Sequence, residues 1–183
     1  MIFKENLGLP YLPNLVNFIS SCSKYLGMYF YSRKLKQPSK KQLELWSLKR
    51  KKLSGKEIAA QKNVTTGFVS KTLSDANQRI RGLLENAANM NKVSIENLSE
   101  ELGFARGKSH MLNVKCYITF SPRNGVQVWY EHKGNCASCE KFALCKDILL
   151  KEFEERSIEI PSSTLQPTDL VEVLFNKLEE IST

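Results

Sequence analysis

Histidine, the residue that most often transfers protons at neutral pH, is scarce: the 183-residue chain has two. His110 has no ligand or acid partner at a useful spacing, and neither a serine-histidine-acid order nor a pair of catalytic carboxylates stands out. The segment GFARGKS at 103–109 is one residue too short for a phosphate-binding loop, and it follows a helical pattern at 94–102 instead of a strand. We therefore expect a protein that is not an enzyme.

An uninterrupted apolar run is missing too. Residues 7–32 are the most apolar stretch, but prolines, asparagines, four serines and a lysine interrupt it, which makes a poor membrane span. Leu15, Ile19, Cys22 and Leu26 recur at helical spacing, so residues 1–36 are expected to form an amphipathic docking or dimer helix. Attachment to a membrane surface is the alternative. We find no secretory signal and expect a cytoplasmic protein without a membrane partner.

Negative charge is sparse in one part of the chain. Residues 33–91 hold 14 lysines and arginines against 4 acidic residues, a net +10, whereas residues 92–183 hold 11 against 14, a net −3. A basic block joined to a mildly acidic one is expected when one domain meets phosphates and the other has a different role. A solvated helix surface is the alternative interpretation of the basic block.

The basic block carries the pattern of three helices. Ser39 can cap the first, and Ser54-Gly-Lys-Glu57 is a capping box for a short second. A tight turn follows, after which Thr65 can cap a long third helix. Two short helices and a long third are the plan of a helix-turn-helix, which binds double-stranded DNA. The predicted ranges are 40–51, 55–62 and 66–88.

The third predicted helix has two faces. Val69, Leu73, Ala76 and Ile80 repeat every three or four residues and predict a buried stripe. The other face is small or hydrogen-bonding, which would let the helix approach base edges in the major groove; a merely hydrated face is the alternative. The predicted DNA-binding residues are Thr66, Gly67, Ser70, Lys71 and Ser74 on this face, with Lys40, Lys51, Lys52 and Lys56 before it.

The stretch KKQLELWSLKRKKLSGKEIAAQKNVTTGFVSKTLSDANQRI resembles the helix-turn-helix of sigma factor region 4 and of LuxR-type response regulators, and also that of the related archaeal Tfx-type regulators. The similarity covers about residues 39–85, with Leu53-Ser54 and Val64 among the matching positions. Lys52 stands where this family usually has a turn glycine. The resemblance implies that residues 66–74 enter the major groove, and it makes RNA polymerase an alternative partner.

A β-hairpin is predicted downstream, because residues 116–120 and 126–132 alternate at period two around the turn 121–125. If Ile118 and Phe120 lie on its core face, Cys116 and His132 lie on the same face at the open end. Cys136, Cys139 and Cys145 follow within a few residues. Three or four soft ligands are therefore expected to converge there.

Three cysteines within ten residues favour a metal site over buried hydrophobic thiols. Thiolates suit both zinc and iron-sulfur clusters. The spacing Cys116-x₁₉-Cys136-x₂-Cys139-x₅-Cys145 resembles that of the WhiB-like proteins, which implies a 4Fe-4S cluster on these four cysteines. With zinc, His132 would replace Cys116 as the fourth ligand.

Two helices are expected to close the chain. The first follows Cys145, with Ile148, Leu149 and Phe153 inward and with Glu152, Glu154 and Glu155 outward. The second starts near Thr168, and its apolar stripe either completes the core or forms the seam of a homodimer.

The sequence as a whole predicts a mainly α protein with a small β-hairpin. Its parts are an N-terminal extension at 1–36, a tri-helical helix-turn-helix at 37–91 and a small metal-binding α/β module at 92–183. The expected function is that of a sequence-specific DNA-binding transcription regulator with a cysteine-ligated Fe-S or zinc site. The alternative is a sigma-like accessory factor that docks on RNA polymerase and has a structural zinc module.

Overall fold

The computed structural model describes residues 2–3, 36–131, 136–160, 162 and 165–182. The expected N-terminal amphipathic helix falls almost entirely on residues 4–35, outside the described residues.

Three helices form in the basic block where the capping residues place them: α1 (Lys40–Arg50), α2 (Gly55–Lys62) and α3 (Thr66–Met90). Ser39, Ser54 and Thr65 are the N-caps, and the capping box of α2 is confirmed. Asn63 takes a left-handed conformation (φ 50°) that ends α2 and starts the turn into α3. The predicted ranges of the three helices are confirmed to within about two residues.

The three helices enclose a small core of their own. Leu45 of α1, Ile58 and Ala59 of α2 and Val69 of α3 are buried together. Only the first part of α3 takes part in it. The rest of this 25-residue helix runs on to a second core.

The rest of the chain is built on an antiparallel sheet in the order β1-β5-β4-β3-β2. Its strands are β1 (Ile2–Phe3), β2 (Val93–Ser99), β3 (Phe104–Ser109), β4 (Lys115–Ser121) and β5 (Gly125–Glu131). Two further helices, α4 (Phe142–Arg156) and α5 (Pro167–Ser182), follow the sheet. The described residues therefore hold five α-helices and a five-stranded sheet.

The expectation of a mainly α fold with a small hairpin and a small metal-binding module is wrong. The predicted hairpin is confirmed as β4 and β5, but it is the centre of a larger sheet, and no metal-binding module is evident in the described residues. The error lay at residues 94–102, for which a helical pattern was predicted. These residues form most of β2 and the turn into β3. A β-bulge between Ile95 and Asn97 shifts the alternation of β2, so that Ile95, Leu98 and Leu102 of the following turn recur at three- and four-residue spacing and imitate a helix.

The sheet is covered on both faces. The second half of α3 packs on one face, where Ile80 and Leu84 meet Ile118 and Phe120. Helices α4 and α5 pack on the other, where Phe153 and Phe175 lie in one core with Trp129. Hence the molecule has three layers, with α3, the sheet and the α4–α5 pair stacked in that order.

Helix α1 also contacts the sheet. Trp46 packs against Phe120 with ring centroids 5.7 Å apart, and its indole N–H donates to the carbonyl oxygen of Glu100 at 3.1 Å. Gly103, in the β2–β3 turn, has a positive φ of 59°, and a Cβ there would lie 2.6 Å from the Phe120 carbonyl oxygen and 3.0 Å from the Trp46 ring. The glycine of the apparent phosphate loop thus serves this close packing.

Helix α4 corrects another expectation. Glu152, expected to face outward, is fully buried and binds the Arg156 guanidinium at 2.7 Å, whereas Glu154 is exposed as expected. Arg156 also donates to the carbonyl oxygens of Leu102, Gly103 and Phe120. Burial of this carboxylate is possible because its charge has a fixed partner one helical turn away.

Across the described ranges, the structure contains no helix with the length and apolar character needed to cross a bilayer.

Candidate nucleic-acid interface and cysteine cavity

The first half of α3 presents one face to solvent and the other to the small helical core. Val69 is buried, while the five predicted contact residues of α3 are all exposed: Thr66, Gly67, Ser70, Lys71 and Ser74. A Cβ added to Gly67 would meet no described atom within 4 Å. No side chain therefore projects from α3 at Gly67, so another molecule can approach the helix backbone closely.

The four lysines predicted to join this face are also exposed: Lys40, Lys51, Lys52 and Lys56. They lie at the start of α1, in the α1–α2 turn and in the first turn of α2. Lys62 differs from them, because its ammonium group forms an ion pair with Glu44. Lys52 has a left-handed backbone conformation, with φ at 67°. This is the position at which the resembling family usually has glycine, and the lysine there is conformationally strained.

Phe68 is a further exposed residue of this surface that the sequence analysis missed. Its side chain is 39% exposed, and Lys41 of α1 holds its ammonium nitrogen 4.5 Å from the ring centroid. The sequence signal for this exposed ring was an aromatic residue directly before Val69, outside the apolar stripe of α3. The face of α3 therefore offers an apolar ring beside hydroxyl groups and a cation.

Side-chain caps fix the start of α2 and α3. The Thr65 hydroxyl accepts from the Phe68 backbone N–H at 3.1 Å, and in α2 the Ser54 N–H donates to the Glu57 carboxylate at 2.7 Å. Hydrogen bonds from Ser54 lower the pKa of Glu57 from its ordinary value, so this carboxylate is charged at neutral pH. The cap at Thr65 therefore fixes the residue at which α3, and with it the exposed face, begins.

A poorly solvated cation lies at the end of α1, near charged residues of α4. Arg50, in the last turn of α1, stacks on the Trp46 ring at 4.4 Å. Its two terminal nitrogens are buried and have no hydrogen-bond partner in the described part of the chain. Burial, and then the nearby Arg156, lower the pKa of Arg50 to about 9, against the opposing effect of Glu152 and Glu155. The end of α1 thus holds a poorly solvated charge within electrostatic range of Glu152 and Arg156 of α4.

Three of the predicted metal ligands line a single cavity on the α4–α5 side of the sheet. Cys136 and Cys145 are buried and Cys139 is half-buried. The cavity measures about 10 Å³, and its other walls are Trp129, Phe142, Leu149, Pro167 and Val171. The three thiols are thus together, in apolar surroundings.

Cys116 is not brought to this cavity. It is fully buried in the core between the sheet and α3, whereas its neighbour Tyr117 and Trp129 face α4 and α5. Burial raises the pKa of the Cys116 thiol to about 12, partly offset by a backbone hydrogen bond at Trp129. The expected convergence of four ligands required a hairpin with one buried face; both faces are buried, and this separates Cys116 from the other cysteines.

The alternative fourth ligand, His132, lies outside the described residues. Among the residues that are described, no group of three or more histidine, cysteine or acidic side chains has the arrangement of a preformed metal site. The three thiols share a cavity without yet forming a coordination shell.

Comparison with family models, with curated proteins and with solved structures found no match to this chain.

Proposed function

We propose that the protein binds double-stranded DNA through α3 and acts as a sequence-specific transcription regulator in the cytoplasm. The observation that carries the proposal is the exposed face of α3, with Gly67, Ser70, Lys71 and Ser74 pointing away from the helical core. Residues 66–74 span about 14 Å at the rise of an α-helix, a length comparable with the width of the major groove.

The chemistry of this face suits base edges and phosphates. Serine and threonine hydroxyls donate to or accept from bases of either kind, and lysine reaches a guanine edge or a phosphate. The exposed lysines before α3 add charge that phosphates would neutralise. Residues 33–91 carry a net +10, so we expect binding to depend strongly on salt.

The experiment is a titration of fluorescent DNA duplexes, selected from a random pool, with the full chain at several salt concentrations. If roughly six to ten phosphates are contacted, affinity falls about 10³- to 10⁵-fold between 50 and 200 mM salt. Selected duplexes with an inverted repeat would indicate a homodimer, because twofold pairing of the protein is mirrored in its site. Equal affinity for selected and unselected duplexes would favour RNA polymerase as the partner.

Variants separate the two kinds of contact. Lys71→Ala is expected to weaken binding, uniformly on all sequences if it grips a phosphate and selectively if it reads a base. Ser70→Ala tests base reading by a residue without charge. Lys177→Ala is the matched control, since Lys177 is an exposed lysine of α5, on the opposite side of the sheet from α3. If this control weakens binding as much as Lys71→Ala does, the assignment of the face is wrong.

A further inference from the structure

The three cysteines of the α4–α5 side are carried by one short stretch of backbone. Cys136 begins a 3₁₀ turn (Cys136–Ser138), and the Cys139 N–H donates to the Cys136 carbonyl oxygen at 3.1 Å. The Cys145 N–H donates to the Lys141 carbonyl oxygen at 2.9 Å and places Cys145 in the first turn of α4. This backbone delivers all three sulfurs to a single cavity.

The start of α4 differs from the starts of α1, α2 and α3. Each of those has a serine or threonine cap, whereas Lys141, at the start of α4, makes no side-chain cap hydrogen bond within the described residues. The start of α4 lies between Cys139 and Cys145 along the chain, so one metal ion held by both thiols would bracket the helix start.

The size of the cavity decides between the two metal groups. Its volume of about 10 Å³ corresponds to roughly one water-sized sphere. A single ion approaches this size, whereas a 4Fe-4S cluster brings eight atoms and would have to displace the apolar walls. The cavity therefore favours zinc over a cluster.

We propose that Cys136, Cys139 and Cys145 together bind one zinc ion that fixes the start of α4, and that Cys116 takes no part. Zinc accepts three thiolates and a fourth ligand in a tetrahedral site. That fourth ligand comes from elsewhere than Cys116, which lies across the sheet. Because the thiols share the cavity without forming a coordination shell, binding draws them together and stabilises residues 136–145. The proposal is independent of DNA binding.

The test is metal analysis of the full chain purified without chelator, followed by replacement with Co²⁺, whose thiolate charge-transfer bands count sulfur ligands. We expect one zinc per chain and bands typical of three thiolates. Cys116→Ala should retain both, whereas Cys139→Ser should lose the metal or about one third of the charge-transfer intensity. A metal-free wild-type protein, equal loss in the two variants, or a brown protein with four irons per chain would each overturn the assignment.

A measurement on the wild-type chain covers the case in which Cys139→Ser does not fold. Alkylation by iodoacetamide is mapped by peptide mass spectrometry, with zinc and after removal of zinc by a chelator. Zinc is expected to slow alkylation of the three cavity cysteines together, at least about tenfold, and to leave Cys116 unchanged. Identical patterns in the two conditions would contradict the proposal.

Discussion

Two arginines of this protein, both with buried guanidinium nitrogens, show that a buried charge stabilises the fold only when it has hydrogen-bonded partners. Arg156 and Glu152 are both buried and each completes the hydrogen bonding of the other, and Arg156 in addition binds three backbone carbonyl oxygens. Arg50 lies close by with its terminal nitrogens buried and without described partners. The two arginines share a neighbourhood but are expected to respond in opposite ways to removal of the charge.

We therefore expect Arg50→Met to raise the free energy of unfolding by about 1 kcal/mol, because a desolvated charge next to Arg156 is replaced by a side chain that still packs on Trp46. Arg156→Met should lower it by about 3–5 kcal/mol, since the buried Glu152 then loses its ion pair and keeps only the hydrogen bond from Asn124. Urea denaturation followed by circular dichroism measures both. A loss of stability in Arg50→Met comparable to that in Arg156→Met would show that the Arg50 charge is well compensated.

Phe68 is the side chain for which the proposed function makes the sharpest chemical prediction. If this surface of α3 faces the major groove as proposed, the phenyl ring would contact the methyl group of thymine, which uracil lacks. Replacement of thymine by uracil in a selected duplex should weaken binding by wild-type protein, and Phe68→Ala should bind both duplexes equally, with an affinity near that of wild type on uracil. Anisotropy titrations measure this. Met111→Ala is the control, because Met111 is an exposed apolar residue beside Ala88 and Asn89, at the opposite end of α3 from Phe68.

At the scale of elements, the α1–α2 turn combines a DNA-binding prediction with conformational strain. Lys52 is exposed and has a φ of 67°, whereas its neighbour Lys51 is exposed with an ordinary φ of −77°. A lysine in the left-handed region costs about 1 kcal/mol relative to a glycine there. The turn therefore allows the cation and the backbone conformation to be tested separately.

Lys52→Gly is expected to raise the melting temperature while weakening DNA binding, since it relieves the strain and removes a charge. Lys51→Gly should weaken DNA binding to a similar extent but lower the melting temperature, because the glycine there gains only flexibility. Thermal denaturation and duplex titration of both variants give the comparison. Unchanged DNA binding in both would remove the turn from the interface.

The elements that could be predicted from sequence were those with a local signal. Caps and apolar periodicity gave α1, α2 and α3, and the period-two pattern gave β4 and β5. Strand β2 was missed because its bulge disturbs the alternation on which strand prediction depends. The inward turn of Glu152 was missed because its partner Arg156 was not considered.

The candidate sites follow the same division. Exposure of Ser70, Lys71 and Ser74 depends on one face of one helix and was predictable. The position of Cys116 relative to Cys136 depends on which face of the sheet each approaches, and this is decided by α4 and α5 packing on the second face. The face of the sheet on which each cysteine lies thus depends on contacts between distant parts of the chain, and no local sequence pattern indicates it.

At the scale of the whole molecule, α3 belongs to two cores. Val69 lies in the small helical core, and Ile80, Leu83 and Leu84 lie in the core against the sheet. Trp46 of α1 joins the same sheet core. Residues on both sides of residue 91 therefore line one shared core, beside the small core of the three helices.

We expect the three helices α1–α3 and the sheet to unfold in a single transition, and the two tryptophans allow the test. Trp46 reports the α3 face of the sheet and Trp129 the opposite face. In Trp46→Phe and in Trp129→Phe, the fluorescence of the remaining tryptophan should follow the same urea transition as the helical circular dichroism signal. Separate midpoints in either variant would indicate that one layer unfolds independently.

The length of α3 also has an evolutionary consequence. Many DNA-binding units are exchanged between proteins as self-sufficient cassettes, but a piece of this chain that ended after α3 would expose five apolar side chains to water: Ile80, Leu83, Leu84, Ala87 and Ala88. Recombination at that point would yield an aggregating fragment instead of a DNA-binding domain that folds by itself. Relatives of this protein should therefore have inherited residues 36–90 and the sheet together.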